Sequence, residues 1–352
     1  MRRISRLALV LSLAGLFFLP TLTQAQGLGD LREQVQKVGQ IYADGYVQPV
    51  SDAFGANLNG GLFRTADVGN GFLPGLPIDV YLGVSVSGAL MGPANSSFAP
   101  PSRSFTETAP DGSEVETTIR VENPNGTAKD RVPNVFGDTD PEGSMTVTST
   151  VTRPDGTTQT STETFDNIPP GLIDTPVAPL IVPQLGLGSI AGTDVQVRYL
   201  PKAQITYSGN DFGKVGLFGL AVRHDIDQWI PVPLPLQLAA QGSWNQFSFE
   251  SGGGEILDAS GWALNVQASK GIPVLPVVLY GGLQYEKFTT EYSFDFQAPT
   301  GQNIPVTLEQ DASNTTRGIV GLSVNFTVIR LNVDYAVSNG NNVATVGAGF
   351  RL

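Results

Sequence analysis

The single histidine, His224, stands in Arg223-His224-Asp225-Ile226-Asp227, where two carboxylates could orient an imidazole or join it in holding a cation. One imidazole cannot build a His-rich metal centre, and no Gly-x-Ser-x-Gly elbow sits at a strand-to-helix junction, so the run reads as a turn into Trp229 and Pro231. Gly186-Leu187-Gly188-Ser189-Ile190-Ala191-Gly192 has the glycines of a dinucleotide loop, but the last is displaced and no helical pattern follows. Asp138-Thr139-Asp140-Pro141-Glu142 gathers oxygen ligands of the kind calcium takes, yet Pro141 interrupts it and the full loop spacing is missing. Asn95, Asn125, Asn314 and Asn325 open Asn-x-Ser/Thr triplets, which matter only in a glycosylating host. With no cysteine there is no disulfide, thiolate metal site or Cys-anchored lipid. No catalytic constellation or cofactor site emerges, and the chain reads as a non-enzyme. The candidate functional residues are instead polar positions at alternate places in apolar segments: Asn265, Gln267, Gln284, Glu286, Ser323, Asn325, Asn332 and Asp334. Enclosed in a lumen, such amides and carboxylates would pass or hold small solutes and mildly favour cations. Any barrel needs polar residues inside, whatever it carries.

The segments that must position them alternate with period two. Gly318, Val320, Leu322, Val324, Phe326 and Val328 fall on one face, and Ile319, Gly321, Ser323, Asn325 and Thr327 on the other. The pattern returns as Leu331, Val333, Tyr335 and Val337, and again as Ala344, Val346, Ala348, Phe350 and Leu352. These are antiparallel strands with one apolar face, which turns inward in a soluble sheet and outward in an outer-membrane barrel. Strand length decides between them. Ile78 to Leu90, Ile256 to Lys270 and Val277 to Tyr292 exceed the five or six residues usual in soluble domains and suit tilted membrane strands. Thr193 to Leu200, Gly213 to Arg223 and Leu236 to Phe249 add strands, the last with a change of parity at Phe247 that suggests a bulge or a strand leaving the membrane zone. Ala56 to Ala66 reads as the first strand. Trp229, Trp244, Trp262, Tyr280, Tyr285 and Tyr292 fall near segment ends, where interfacial girdles put aromatics.

Before the strands, Gly27 to Phe54 carries Leu28, Leu31, Val35, Val38 and Tyr42 at helical spacing, with Asp30 as cap and Pro49 as the stop. This short amphipathic helix is expected to plug the lumen or cap its rim. Met91 to Pro183 is different in texture, rich in Thr, Ser and Pro, with turns at Pro110-Asp111-Gly112, Pro124-Asn125-Gly126 and Pro154-Asp155-Gly156. Twelve acids and four bases between Glu107 and Asp166 make it strongly acidic, and it reads as a long external excursion with its own hairpins.

The first 25 residues have the form of a secretory signal peptide: Arg2, Arg3 and Arg6, then the apolar run Leu7 to Leu19, then small residues ending at Ala25. Cleavage there would take the net charge from −12 to −15, a surface that repels nucleic acid. Gly 41, Pro 25 and charged residues at 15% disfavour helical bundles and charge-driven disorder alike.

The runs Tyr46-Val47-Gln48-Pro49-Val50-Ser51-Asp52-Ala53-Phe54-Gly55-Ala56-Asn57-Leu58-Asn59-Gly60-Gly61, Pro183-Gln184-Leu185-Gly186-Leu187-Gly188, Val195-Gln196-Val197-Arg198-Tyr199-Leu200-Pro201, and Gly216 through Pro231 resemble an uncharacterised bacterial family of predicted outer-membrane barrels. A helical segment before a barrel is also similar in architecture to the long-chain fatty-acid transporter family. The expectation is therefore an all-β, transmembrane, antiparallel up-and-down barrel of about 12 strands, with 10 to 14 tolerable, over residues 56–352, preceded by a helical plug or cap over 26–55. It would lie in outer-membrane lipid of a Gram-negative cell and act as a passive, porin-like channel or transporter for a small, hydrophobic molecule. The alternatives are a structural or surface-interaction protein using the acidic excursion, and a soluble periplasmic β-barrel ligand binder.

Overall fold

A computed structural model describes residues 44–68, 79–92, 95–100, 105–108, 112–168, 170–171, 175–207, 210–251, 254–297 and 303–351. The expected signal peptide and the helical stretch as far as Ala43 lie outside these residues, as do Ile78, Pro110, Asp111 and Leu352.

The strands in chain order are β1 (Asp79–Leu90), β2 (Ser97–Phe98), β3 (Phe105–Thr108), β4 (Glu114–Glu122), β5 (Val132–Pro133), β6 (Ser144–Thr152), β7 (Thr158–Phe165), β8 (Val177–Ile190), β9 (Thr193–Tyr207) and β10 (Asn210–Asp225). They continue as β11 (Gln237–Ser251), β12 (Gly254–Gly271), β13 (Val277–Gln297), β14 (Asn303–Asp311), β15 (Thr316–Asn325), β16 (Ile329–Ser338) and β17 (Val343–Arg351). The large sheet runs β12-β11-β10-β9-β8-β1-β17-β16-β15-β13, and β12 pairs back onto β13 to close a ring of ten strands. β14 adds to β13 outside the ring. First and last wall strands are neighbours, with Tyr81 opposite Arg351 and Ala89 opposite Val343. Closure satisfies the backbone without leaving an edge within the ring.

Ten wall strands stand at the low end of the expected 10 to 14 and below the central count of 12, and Ala56 to Ala66, expected as the first of them, is not a strand. The hairpins of the excursion form their own four-stranded sheet, β3-β4-β6-β7. The excursion is also shorter than expected, because the wall resumes at Val177.

The chain divides into two units: Ser51–Leu90 with Pro176–Glu291 and Glu309–Leu352, and Met1–Val50 with Met91–Thr175 and Tyr292–Leu308. The first is the barrel. Leu82, Val84 and Val86 of β1, Leu331, Val333 and Val337 of β16, and Val346 of β17 point outward and are exposed. Leu283 at 74% and Val320 at 66% exposure show how completely this face lacks protein cover. The residues between them are buried and mostly polar, so the soluble-sheet reading, which needs the apolar face inside, does not describe this molecule.

Trp229 stands at a turn, as expected, but Trp244, Trp262 and Tyr285 lie mid-strand, in a row of outward aromatics across five strands. Tyr199 pairs with Phe218, whose ring lies 6.2 Å from Trp244, Trp244 pairs with Trp262, and Trp262 lies 5.6 Å from Tyr285. The row falls mid-strand because β11 to β13 are 15, 18 and 21 residues long, and beyond it their outward positions turn polar at Gln246, Ser260, Lys287 and Glu291. Tyr280 is not part of it: the ring faces inward and its hydroxyl donates to Asp334 Oδ2 at 3.0 Å.

In the second unit, Ile119, Val121, Val132, Met145 and Ile168 are buried, and the Tyr46 hydroxyl donates to the Pro170 carbonyl at 2.7 Å. Burial raises the Tyr46 pKa well above its ordinary value. On β6 and β7 the exposed face is a ladder of threonines, Thr146 with Thr164, Thr148 with Thr162 and Thr150 with Thr160, at 3.1 to 3.3 Å.

Candidate functional site: the barrel interior

The interior is occupied by the chain's own segment 51–68. A helix, α1, spans residues 44–58, passing through Pro49 where the sequence pattern predicts its end. Its residues are poor helix formers (Gly45, Pro49, Ser51, Asp52, Gly55 and Asn57 among them), so propensity alone would not sustain it. Burial does: Ala53, Ala56, Leu58, Leu62, Phe63 and Ala66 are all 2% exposed or less. Gly55 permits a close approach to the wall, since a Cβ there would sit 3.0 Å from both Ala312 Cβ and Phe288 Cβ. Phe54 stacks 4.6 Å from Phe247. Phe247 is therefore an inward residue on a strand whose pairing stays regular past it, and the only register shift in the β11–β12 ladder comes at Phe249/Glu250. The bulge thus falls two residues beyond the change of parity, and Phe247 is an aromatic seat for the helix on a strand that has turned polar outside at Gln246.

The helix ends at Asn59, whose amide donates back to Gly55 O at 3.1 Å, and Gly61 adopts φ +66. Gly61 is also needed for space: a Cβ would meet Ser85 Oγ at 2.3 Å and Arg198 Nη2 at 3.0 Å. The last helical carbonyls lack intrahelical donors, and arginines of the wall supply them. Arg317 Nη1 donates to Ala56 O at 2.9 Å, and Arg198 donates to Leu58 O and Gly60 O, both at 2.6 Å. Gln284 donates to Asn59 O at 2.9 Å, Gln184 to Gly61 O at 3.3 Å, and Arg223 to Thr65 O. Ser269 Oγ accepts from the Ala66 amide at 3.0 Å. At the other end Asp52 Oδ1 accepts from the Ser313 amide at 2.7 Å. Ser313 precedes β15 at the barrel end where β1 finishes, and Ser269 is near the end where β1 begins. The segment thus runs the length of the lumen.

Four of the eight residues singled out from sequence meet the segment as one network. Asn265 donates to Gln284 Oε1 at 3.2 Å, Gln267 donates to Asn265 Oδ1 at 2.8 Å, Gln284 donates to Glu286, and Glu286 Oε1 pairs with Arg317 Nη2 at 2.5 Å. Both side chains of that ion pair are fully buried. Ser323, Asn332 and Asp334 are buried on other parts of the wall, and Asn325 is half-buried at the end of β15, where its Oδ1 accepts from Ser323 Oγ at 3.1 Å. Sequence reasoning missed the arginines that grip the segment, Arg198, Arg223 and Arg317, together with Gln184 and Gln241. Their signal was available: long donors at inward-parity positions of strands.

The turn into Trp229 begins beyond Asp225, and His224 is the last residue but one of β10, paired with Thr193 and Ala240. Its Nδ1 lies 2.8 Å from Thr193 Oγ1 and its Nε2 lies 2.9 Å from Gln228 Nε2, with the Trp229 ring 4.7 Å away. Gly186 and Gly188 lie within β8, and a Cβ on Gly186 would come 3.4 Å from Arg64 Nη2, so these glycines make room for a side chain inside the barrel. Among the described residues no helix is long and apolar enough to cross a membrane, and no group of His, Cys, Asp and Glu is placed to hold a metal ion.

The model of a family of unknown function (DUF6588) matches residues 1–352. The chain belongs to that family. No curated protein matches it. Among solved structures it is similar to Ail, the attachment invasion locus protein of Yersinia pestis (17% identity, 46% of this chain and 97% of that one, TM-score 0.25). It is also similar to OmpT of Vibrio cholerae (10%, 78% and 99%, TM-score 0.25) and to the translocator domain of the autotransporter NalP from Neisseria meningitidis (12%, 92% and 96%, TM-score 0.27). At such TM-scores these likenesses carry no argument, and the barrel rests on its own strand pairing. The architectural likeness to the long-chain fatty-acid transporter family is not carried by any of them.

Proposed function

We propose that this protein is a non-enzymatic outer-membrane barrel, closed at rest, that anchors the acidic excursion as an interaction surface. The observation that carries the reading is the filled lumen. A closed ring of eight strands leaves an interior just wide enough for side chains or one small ligand, and the diameter grows with strand number, so ten strands leave room for one slender segment of chain. Here that space holds segment 51–68, gripped along its length by Arg317, Arg198, Gln284 and Arg223. Supporting the membrane location, the exposed apolar band ends at the row Tyr199, Phe218, Trp244, Trp262 and Tyr285, past which outward residues turn polar. In this reading the bilayer lies between that row and the turns carrying Trp229, Val274 and Phe326, all exposed.

A second reading, passage of a small solute, is favoured by one observation: segment 51–68 is held by hydrogen bonds to a polar wall, and its withdrawal would bare Gln241, Asn265, Gln267 and Glu286. That lining suits a polar solute better than the hydrophobic one expected from sequence. Conductance in planar bilayers separates the two. Full-length protein is expected to be silent and a deletion of 44–68 to conduct; steady conductance by the full-length protein would refute the closed barrel. An epitope inserted between Asp155 and Gly156 is expected to be labelled on intact cells.

A further inference from the structure

The buried charges of the lumen do not balance at the end where β1 begins. Arg223 is paired with Asp194, and Arg351 Nε with Asp79 Oδ2 at 2.5 Å. Arg64 and Arg330 are left over. Arg64, 4% exposed, lies with its guanidinium carbon 4.1 Å over the Tyr81 ring, and its Nε and Nη1 are buried without a hydrogen-bond partner. Arg330, 6% exposed, makes no side-chain hydrogen bond or ion pair among the described residues, and its Nε is buried and unpartnered. The Tyr81 ring that Arg64 covers packs against Gly349, whose partner across the β16–β17 ladder is Arg330. The two guanidiniums stand within electrostatic range of each other and of Arg223, Arg64 also of Asp194, and Arg330 also of Arg351 and Asp79. Among the described residues, four guanidiniums therefore stand within range of one another at this end of the lumen, beside the carboxylates of Asp194 and Asp79, both already paired. Asp79 Oδ1 is also without a partner, but it is an acceptor on a carboxylate that Arg351 holds.

A buried guanidinium left without an anion is strongly unfavourable, and placing a second beside it adds repulsion. Two planar donors with free N–H groups are also the arrangement that oxyanions bind best. We propose that Arg64 and Arg330, backed by Tyr81, form a binding site for an oxyanion of the phosphate or carboxylate type. The site joins the two parts of the interior, since Arg64 belongs to the segment that fills the lumen and Arg330 to β16 of the wall. A bound anion ties the segment to the barrel at this end, so ligand concentration sets how firmly the lumen is closed. This second step rests on the closed-barrel reading; the binding site itself does not.

The test uses full-length protein in a non-ionic detergent without phosphate groups, titrated with inorganic phosphate and followed by calorimetry. One saturable site is expected, weakened about tenfold or more in Arg330→Gln and in Arg64→Gln, with Arg330→Lys weakened less. Heat-modifiable migration on gels reports that each variant retains its barrel. Phosphate should also slow hydrogen exchange over 62–66 in the wild type and leave it unchanged in Arg330→Gln. Native mass spectrometry of protein extracted from membranes identifies the source: a retained phosphorylated lipid lost in Arg330→Gln assigns the site to a lipid headgroup, and its absence together with phosphate binding assigns it to a soluble ion. No phosphate binding and no retained lipid, or binding unchanged in a folded Arg330→Gln variant, would overturn the proposal.

Discussion

The barrel wall and the excursion sheet are both antiparallel, both built on period two, and opposite in what they show to their surroundings. β16 sends Leu331, Val333, Tyr335 and Val337 outward and keeps Asn332 and Asp334 enclosed, whereas β6 and β7 display facing ranks of threonine. Alternation thus specifies a strand but not its solvent. The chemistry of the exposed face does that: branched and aliphatic side chains are stable against hydrocarbon, and a hydroxyl ladder is stable in water.

The sharpest way to break the contrast is inside the wall. Glu286 and Lys287 are sequence neighbours on opposite faces, one in a fully buried pair with Arg317 and the other in a pair with Asp311 that is 56% exposed on each side. Glu286→Ala is expected to cost about 3–5 kcal/mol, because it strands the Arg317 charge. Asp311→Ala should cost about 0–1 kcal/mol. Chemical unfolding in lipid vesicles measures both, and equal costs would mean that the interior is wet. Next in size, Val333→Arg on the outward face of β16 is expected to lose about 2–4 kcal/mol in vesicles, as a charge facing lipid must. Thr148→Arg on the threonine ladder should stay within about 0.5 kcal/mol in the same assay.

The smallest effect concerns the tip of the β6–β7 hairpin. Asp155 accepts from the Thr157 hydroxyl at 2.6 Å and amide at 2.9 Å, and these bonds hold its pKa below the usual 3.8, the hydroxyl most strongly. A depressed folded-state value means the bonds are intact at neutral pH and lost as the pH falls through that value. Asp155→Ala should speed amide exchange at Thr157 at pH 7 and abolish its dependence on acid, leaving the barrel's thermal stability untouched.

Much of the wall was legible because its evidence is local. Asn332 and Asp334 between Leu331, Val333 and Tyr335 announce which residues share a face, and the lengths of β12 and β13 announce strands too long for an ordinary soluble sheet. The segment that fills the barrel was not legible. Ala56 to Ala66 looks like a strand, with Leu58, Leu62, Arg64 and Ala66 at even positions, but in the lumen it is buried on every side. Periodicity reports a difference between two faces, and a segment enclosed all round has none. For the same reason Phe247 looked like an error of register when it was a contact.

Taken alone, the order of residues determined an all-β chain of long, two-faced antiparallel strands, an acidic hairpin excursion, and which side chains lie together on each strand. Only the tertiary structure decided that ten strands close, that the aliphatic face turns out, and that Arg198, Arg223 and Arg317 converge on carbonyls of residues 56–65. These depend on pairings between residues more than a hundred positions apart, which closing the ring brings within hydrogen-bonding distance and which no local pattern encodes.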